Sequence, residues 1–350
     1  MGTGRLARSV CYSLAVECAV PVEVLVLGRT ADNAAAVCFV ASTRAAASGR
    51  PVRFEPRTGD LDALLAEPDL DGVLVCASSQ SPWERRTRPS AWTELLARAG
   101  FGLTLPFQAA PALRAGRALA ARTPRPWLLN ACFPDAVNPL LAALGVPVLA
   151  GIGNVGLLAA SAQAALGLPD QSRLRMLAHH VHLHTPAPGV AEALAWCDDT
   201  PVADPGALLA AQRATDRAEL NHVTGHTAAL LITALLADTP LDTHLPGPNG
   251  LPGGYPVRLH GTELTLRLPA ALDEPAAVAF NQLAAAADGV VVDAGRVTFA
   301  PDAAGELDQL VPDLATGFPV ADLDSATAEL GALRDRLRAE PAGRPQGVPG

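Results

Sequence analysis

All eight histidines lie between His179 and His260, and four crowd into one run: His179, His180, His182 and His184. Imidazole is the side chain that gives or takes a proton near neutral pH, so this run is the first candidate for chemistry. Two asparagines stand upstream, Asn130 directly after the apolar stretch Trp127 to Leu129 and Asn154 five residues after Val146 to Leu149. An amide at such a place can fix a histidine tautomer or hydrogen-bond a polar ligand. His180 is the best placed acid or base, and Asn154 is its expected orienting partner. A neutral amide cannot stabilise an imidazolium, so this pairing implies a lower histidine pKa than a carboxylate would give. On an extended strand His180, His182 and His184 would share a face, which a metal could use, but imidazoles on a polar strand face need none and no metal is assigned. His222 and His226 are four apart without the glutamate of a zinc-protease helix, and a capping role suits them equally.

The elements that must position these residues read as alternating strands and helices. Trp127 to Leu129 is a buried strand, Asn130 to Asp135 a loop, and a helix runs to Leu144. A strand from Val146 to Leu149, a turn from Gly151 to Asn154, a helix to Leu166 and a strand running into the histidines complete the stretch. Loops at strand ends are where open α/β sheets bind ligands, so Asn130, Asn154 and the histidines are expected at one crevice. Upstream, a helix to about Ala19 precedes the strand Val22 to Leu27. A helix from Asp32 to Ala47, a strand from Val52 to Phe54, the Gly59 to Leu61 turn and a buried strand from Gly72 to Cys76 follow. Continuous apolar strands between helices imply a parallel sheet covered on both faces. The expected fold class is α/β: a Rossmann-like sheet over residues 1–145, an α+β substrate domain over 146–339 and a disordered tail over 340–350. In the second half the sequence predicts helices Asp204 to Glu219, Thr224 to Leu236, Ala276 to Ala287 and Leu323 to about Ala339. It also predicts strands Val257 to Leu259 and Leu264 to Leu268, and a hairpin around Ala294-Gly295.

Gly2, Gly4 and Ala7 fit the spacing G-x-G-x-x-A, which lets backbone approach a pyrophosphate at a helix N-terminus. The next strand ends Gly28-Arg29-Thr30, with no carboxylate to repel a ribose phosphate and a guanidinium able to bind one. That points to NADP, with NAD possible. The strand that should precede the glycines is missing, so about six to ten apolar residues are expected upstream of Met1 to complete the sheet. A loop from Ser78 carries Glu84, Arg85, Arg86 and Arg88, cations able to close over an anionic ligand.

Composition removes other classes. Net charge is −9, and no basic patch suits nucleic acid. All 26 basic residues are arginine, which excludes Schiff-base lysine chemistry and the phosphate-binding lysine of a P-loop. Six cysteines without C-x-x-C spacing fit reduced thiols. No run reads as a membrane span or signal peptide, and a cytoplasmic homo-oligomer is expected.

In the order of its pieces the chain resembles the lactate and malate dehydrogenase superfamily, which also holds the NAD-dependent family-4 glycoside hydrolases. Residues 2 to 335 carry a glycine loop, an arginine-bearing loop, an Asn/Pro loop, a Gly-Asn turn and a histidine strand in that superfamily's sequence. The resemblance implies that Arg86 polarises a substrate carbonyl, that His180 is the catalytic histidine, and that Asn154 stands where an aspartate orients it. It also implies that Asn130 serves the cofactor. The departures are specific. Phe133 precedes Pro134 where the dehydrogenases have Asn-Pro, Leu157 takes the place of the arginine that clamps a substrate carboxylate, and Gly153 replaces the glycosidases' metal-binding cysteine. Hydride transfer to a carbonyl generates an alkoxide that a histidine can protonate. The expected activity is therefore an NADP(H)-dependent oxidoreductase acting on a carbonyl, alcohol or imine that is not a simple 2-oxo acid, borne by a small molecule or modified peptide. Two alternatives stand beside it: a catalytically retired binding or scaffold protein of this fold, and an NAD-assisted glycosidase-like enzyme.

Overall fold

The computed structural model describes residues 1–342; the sequence's expected tail reaches beyond them into residues 343–350, outside the described chain. Helix α1 (Arg5–Glu17) leads into β1 (Val22–Leu27), α2 (Ala31–Ala47), β2 (Val52–Arg57), α3 (Leu61–Leu65) and β3 (Gly72–Val75). Helices α4 (Glu84–Thr87), α5 (Ala91–Ala99) and α6 (Leu105–Ala120) precede β4 (Trp127–Asn130), α7 (Pro134–Ala143), β5 (Ala150–Gly151) and α8 (Val155–Ala165). The second half runs β6 (Leu174–Leu177), β7 (Leu194–Cys197), β8 (Thr200–Pro201), α9 (Pro205–Ala214), α10 (Arg217–Ala237), β9 (Leu241–Pro246), β10 (Gly254–His260) and β11 (Glu263–Leu266). It closes with α11 (Glu274–Ala287), β12 (Val290–Asp293), β13 (Arg296–Phe299), α12 (Pro301–Asp308), β14 (Phe318–Pro319) and α13 (Leu323–Arg338).

Strand β1 pairs with β2, and β3 with β4 and β4 with β5, all parallel. The facing edges of β1 and β3 do not bond to each other. Met1 and Gly2 bridge them at one end only: the Met1 ammonium donates to Leu74 O at 2.8 Å, Cys76 N to Met1 O at 2.8 Å, and Gly2 N to Leu27 O at 2.9 Å. The sheet thus reads β2-β1-gap-β3-β4-β5. The other sheets are small and antiparallel, and an isolated bridge between Ala178 and Gly254 ties β6 to β10.

Local chemistry sets the boundaries. Asp204, Asp216 and Asp273 each accept a first-turn amide and start α9, α10 and α11. The Asp216 cap splits the single helix expected from Asp204 to Glu219 and begins α10 seven residues before Thr224. Ala294 and Gly295, at φ 45° and 74°, turn the tight β12–β13 hairpin. The expected strand Val146 to Leu149 does not form, since Pro147 has no amide to donate to a ladder, and the pairing with β4 comes just after it at Ala150–Gly151. Strand β6 also stops at Leu177, and His180–Leu183 form a 3₁₀ turn, so the histidines do not line one strand face.

Helix α10 crosses α1 so closely that a Cβ on Gly225 would come within 2.2 Å of Ser9 Oγ. No run was expected to reach the length of a membrane span, yet by length and composition α10 could cross one; its crossing with α1 buries Thr224, Gly225, Ala228 and Ala229 along one side. One hydrophobic core joins Val75, Trp92, Phe107 and Leu128 to Val290, Phe299, Phe318 and Leu330. A second joins Val10, Val26 and Phe54 to Ile232, Tyr255 and Val257. Both draw residues from either side of position 145.

Candidate functional site

The glycine loop sits at the C-terminal ends of β1 and β3. Gly2, at φ +113°, lies so near Cys76 that a Cβ would stand 2.8 Å from its carbonyl oxygen. Only glycine takes that conformation without strain. Gly4 is the N-cap of α1, no side chain caps the helix, its first turn holds no acidic residue, and a Cβ on Gly4 would meet nothing within 4 Å. Free amides at a helix N-terminus beside open space form an anion cradle. Ala7 is buried behind the loop. Arg29 is exposed at the end of β1, and among the described residues its guanidinium makes no hydrogen bond or ion pair.

His180 is held by three groups. Its Nδ1 lies 2.9 Å from Asp288 Oδ2, its ring stacks on Phe101 with centroids 5.3 Å apart, and Phe133 meets it edge-on at 5.5 Å. Since a carboxylate only accepts, Nδ1 carries the proton and Nε2 is left for a ligand. Burial pushes the imidazole pKa down, but the charge and hydrogen bond of Asp288 outweigh it and the net shift is upward. The side chain keeps 19% exposure, so a reactant can reach it. Arg217, at the start of α10, adds a positive charge that opposes this shift, and its guanidinium approaches His184 Nε2 at 2.9 Å. Phe133 occupies the left-handed region at φ 48° in the loop after β4, which carries its ring from the sheet's C-terminal end to the histidine.

The partner of His180 is thus Asp288, at the C-cap of α11, and not Asn154. Asn154 instead donates its Nδ2 to Asp135 Oδ2. The lower histidine pKa expected from an amide partner is replaced by a raised one, so the imidazole keeps its proton to higher pH. Around this pair lies a buried polar cluster with unmet hydrogen-bonding capacity: Asp135 Oδ1, both ring nitrogens of His179, the Tyr255 hydroxyl and Asn281 Oδ1. Burial holds the pKa of His179 down, so it is neutral beside a protonatable His180. Asn154→Asp would set a second carboxylate against Asp135. We expect it to destabilise the fold while leaving the pH profile set by His180 unmoved, checked by denaturation and by titrating the imidazole by NMR.

Other expected site residues are placed elsewhere. Asn130 is fully buried; its Nδ2 donates to Cys132 O and to Asn138 Oδ1, and its Oδ1 accepts from Cys132 N. Its side-chain amide is thus engaged within the loop and with α7. Arg86 is exposed, with its guanidinium carbon 5.6 Å from the Trp83 ring centroid, the same distance as that of Arg5 from α1. No hydrogen bond or ion pair joins Arg86 to His180. The loop is pinned at its base, where Arg338 of α13 donates to both oxygens of buried Glu84 at 2.6 Å and to Gln80 Oε1 at 3.1 Å. His182 accepts from His179 N and pairs with Ala191 O, and burial lowers its pKa to about 4. Among the described residues no group of three or more His, Cys, Asp or Glu is arranged to hold a metal, and all six cysteines are free.

No protein-family model matches the sequence, and no curated protein matches it. Solved structures do. Malate dehydrogenase from Archaeoglobus fulgidus in complex with NADH superposes with a TM-score of 0.51 at 14% identity, covering 81% of this chain and 96% of that one. The fold is like that of malate dehydrogenase. Malate dehydrogenase from Aeropyrum pernix gives 0.49 at 15% identity over 81% and 93% of the two chains. Lactate dehydrogenase from Eimeria maxima with NADH and oxamate gives 0.48 at 13% identity over 95% and 94%. Within this dehydrogenase fold, Leu157 is 6% exposed and packed with Val155, Leu158 and Met176, so it faces a hydrophobic core and not a ligand.

Sequence reasoning missed Asp288, Asp135, Arg217 and Phe101. Asp288 stands 108 residues from His180 in a stretch without a motif, and the only local signal was an aspartate ending a helix before Gly289.

Proposed function

We propose that this protein is an NADP(H)-dependent oxidoreductase that interconverts a carbonyl or imine with the corresponding alcohol or amine on a substrate lacking a free α-carboxylate. The His180–Asp288 pair carries this reading: a protonatable imidazole fixed at 2.9 Å to a carboxylate, with Nε2 free. A bound nicotinamide supplies or accepts the hydride. His180 donates the proton to the developing oxyanion or amide through Nε2, while Asp288 holds the ring and favours its charged form. Phe101 and Phe133 keep water from two sides of the imidazole. Arg217 offers a cation to a polar substrate group.

The chain's own residues suit the dinucleotide at two places. The open N-terminus of α1 fits a pyrophosphate, and Arg29 fits a ribose phosphate. NADPH is expected to bind more tightly than NADH, and Arg29→Asp to reverse or erase that preference, as read by titration calorimetry. Equal affinities in the unmodified protein would remove the NADP assignment. Turnover is tested by NADPH oxidation across aldehydes, ketones and imines, with 2-oxo acids expected to be poor substrates because Leu157 supplies no clamp.

A second reading, a dinucleotide-binding protein retired from catalysis, is favoured by the internally spent amide of Asn130 and by Arg86 standing apart from His180. NADPH binding without oxidation by any of these substrates would select it. We propose a homo-oligomer in either case, since α2 and α10, packed on either side of α1, expose Phe39, Val40, Val223 and Leu230.

A further inference from the structure

We propose that Asp135, His179, Tyr255 and Asn281 together seat one ammonium ion, and that this ion supplies the nitrogen when the carbonyl reaction proposed above ends in an amine. The four side chains are fully buried, and each carries polar atoms without a hydrogen-bond partner among the described residues: Asp135 Oδ1, Asn281 Oδ1, the Tyr255 hydroxyl and both ring nitrogens of His179. Ala178 and Gly254 bridge β6 to β10, so their chain neighbours His179 and Tyr255 both project to the face opposite that pair. Asp135 is drawn to the same point because its carbonyl accepts from Gly253 N at 3.1 Å, and Asn281 because its Nδ2 donates to Gly254 O at 3.4 Å.

Counting donors and acceptors selects the ligand. His179 Nδ1 lies 3.9 Å from Asp288 Oδ2, the oxygen that also holds His180, so the proton of the neutral ring belongs on Nδ1 and Nε2 is left to accept. Asp135 Oδ1, Asn281 Oδ1, the Tyr255 oxygen and His179 Nε2 are then four acceptors, which match the four N–H groups of ammonium. A water molecule donates only twice. Charge points the same way: the side-chain partner of Asp135 is the neutral amide of Asn154, no arginine bonds it among the described residues, and the chain has no lysine. A buried carboxylate without a cation is costly, and neither water nor a neutral substrate group offsets it. An alkali cation brings charge but no N–H, and hard cations prefer oxygen to an imidazole nitrogen. Full burial favours the bare ion over an amine with a bulky substituent.

The seat and His180 meet at Asp288, so the ion rests beside the reacting centre. When Asp135 takes one proton, ammonia gains a lone pair that attacks the carbonyl carbon, and the carbonyl oxygen leaves as water. Hydride from NADPH then reduces the C=N bond, and His180 gives the imine nitrogen one proton, equal to the one Asp135 took up. A carbonyl compound, ammonium and NADPH thereby give the amine, NADP+ and water. This use of the ion rests on the oxidoreductase reading, whereas the seat does not.

The test titrates the protein with ammonium chloride, against potassium chloride and methylammonium chloride at equal ionic strength. At saturation ammonium is expected to raise Tm by about 2–4 °C over potassium, and 15N-labelled ammonium to give proton resonances protected from exchange with water. Tyr255→Phe keeps the ring in the core and is expected to weaken ammonium binding about threefold or more, and Asp135→Asn to abolish it. If Asp135→Asn does not fold, Tyr255→Phe decides. Equal Tm in ammonium and potassium without a protected resonance would overturn the proposal, and so would undiminished binding in Tyr255→Phe. Methylammonium stabilising as well as ammonium would overturn the bare ion in favour of a substrate's own amino group. With ammonium present, NADPH oxidation by a ketone is expected to yield the amine, and the alcohol as sole product would overturn the use of the ion. Absence of NADPH oxidation with any carbonyl would fall on the oxidoreductase reading, while the binding results stand by themselves.

Discussion

Asp288→Asn is expected to lower reductive kcat/KM by about 10²-fold or more, within the range of general acid catalysis. The substitution keeps the shape of the side chain and the backbone carbonyl that accepts from Gly102 N at 2.8 Å, so the fold should persist. What it removes is the charge that holds the His180 pKa above its ordinary value against burial. Reduction needs the protonated imidazole, so in the unmodified protein the rate falls as pH rises through that raised pKa. In the variant the fall moves to lower pH. Stability follows the same sign: a group whose folded pKa is raised stabilises fully below its unfolded pKa of ~6.5, and the contribution fades as pH rises through the folded value. The variant should therefore lose most stability in acid and least in alkali. An unmoved pH limb, in rate and in the NMR titration of the imidazole, would show that Asp288 does not govern His180.

Arg338→Ala is expected to cost about 2–3 kcal/mol, less than a fully buried pair because water reaches part of the arginine. The guanidinium is 31% exposed but the Glu84 side chain only 9%, so removing Arg338 leaves a buried carboxylate with Gln80 Nε2, at 2.7 Å, as its remaining side-chain partner. Gln80 itself accepts from Trp92 Nε1 at 3.2 Å, so the disturbance runs into the core. The urea midpoint should fall with an unchanged slope, and trypsin should cut faster at exposed Arg85 and Arg86. Pairing Arg338→Ala with Glu84→Gln should recover part of the loss, since the stranded charge is then gone. Additive losses would mean that the pair is not what holds the loop.

Much of the architecture is legible in the sequence because local chemistry writes it. Val22 to Leu27 and Trp127 to Leu129 are apolar runs between turn residues, and they form strands where expected. The Gly2, Gly4 and Ala7 spacing likewise finds its place at the head of α1. The site is less legible because it is assembled by distance. Asn154 was matched to His180 by order along the chain, yet its backbone, at φ 38° and ψ −108°, belongs to a turn whose amide meets Asp135. His180, His182 and His184 alternate as a strand would, but hydrogen bonds from His179 N to His182 and from His182 to Ala191 O favour a 3₁₀ turn. No periodicity encodes such long-range choices.

The core that joins Trp92 and Phe107 to Phe299, Phe318 and Leu330 also bears on how the protein is made. Glu84 and Arg338 are 254 positions apart, which at ribosomal speed is roughly 10–50 s of synthesis. For that interval the apolar faces of α5 and α6 have no α13 to cover them. High sequence separation also slows closure once all the parts exist. The arginine that fixes the Ser78 to Arg88 loop is translated 254 positions after the glutamate it holds, so that loop takes its final form only after the intervening chain has been made.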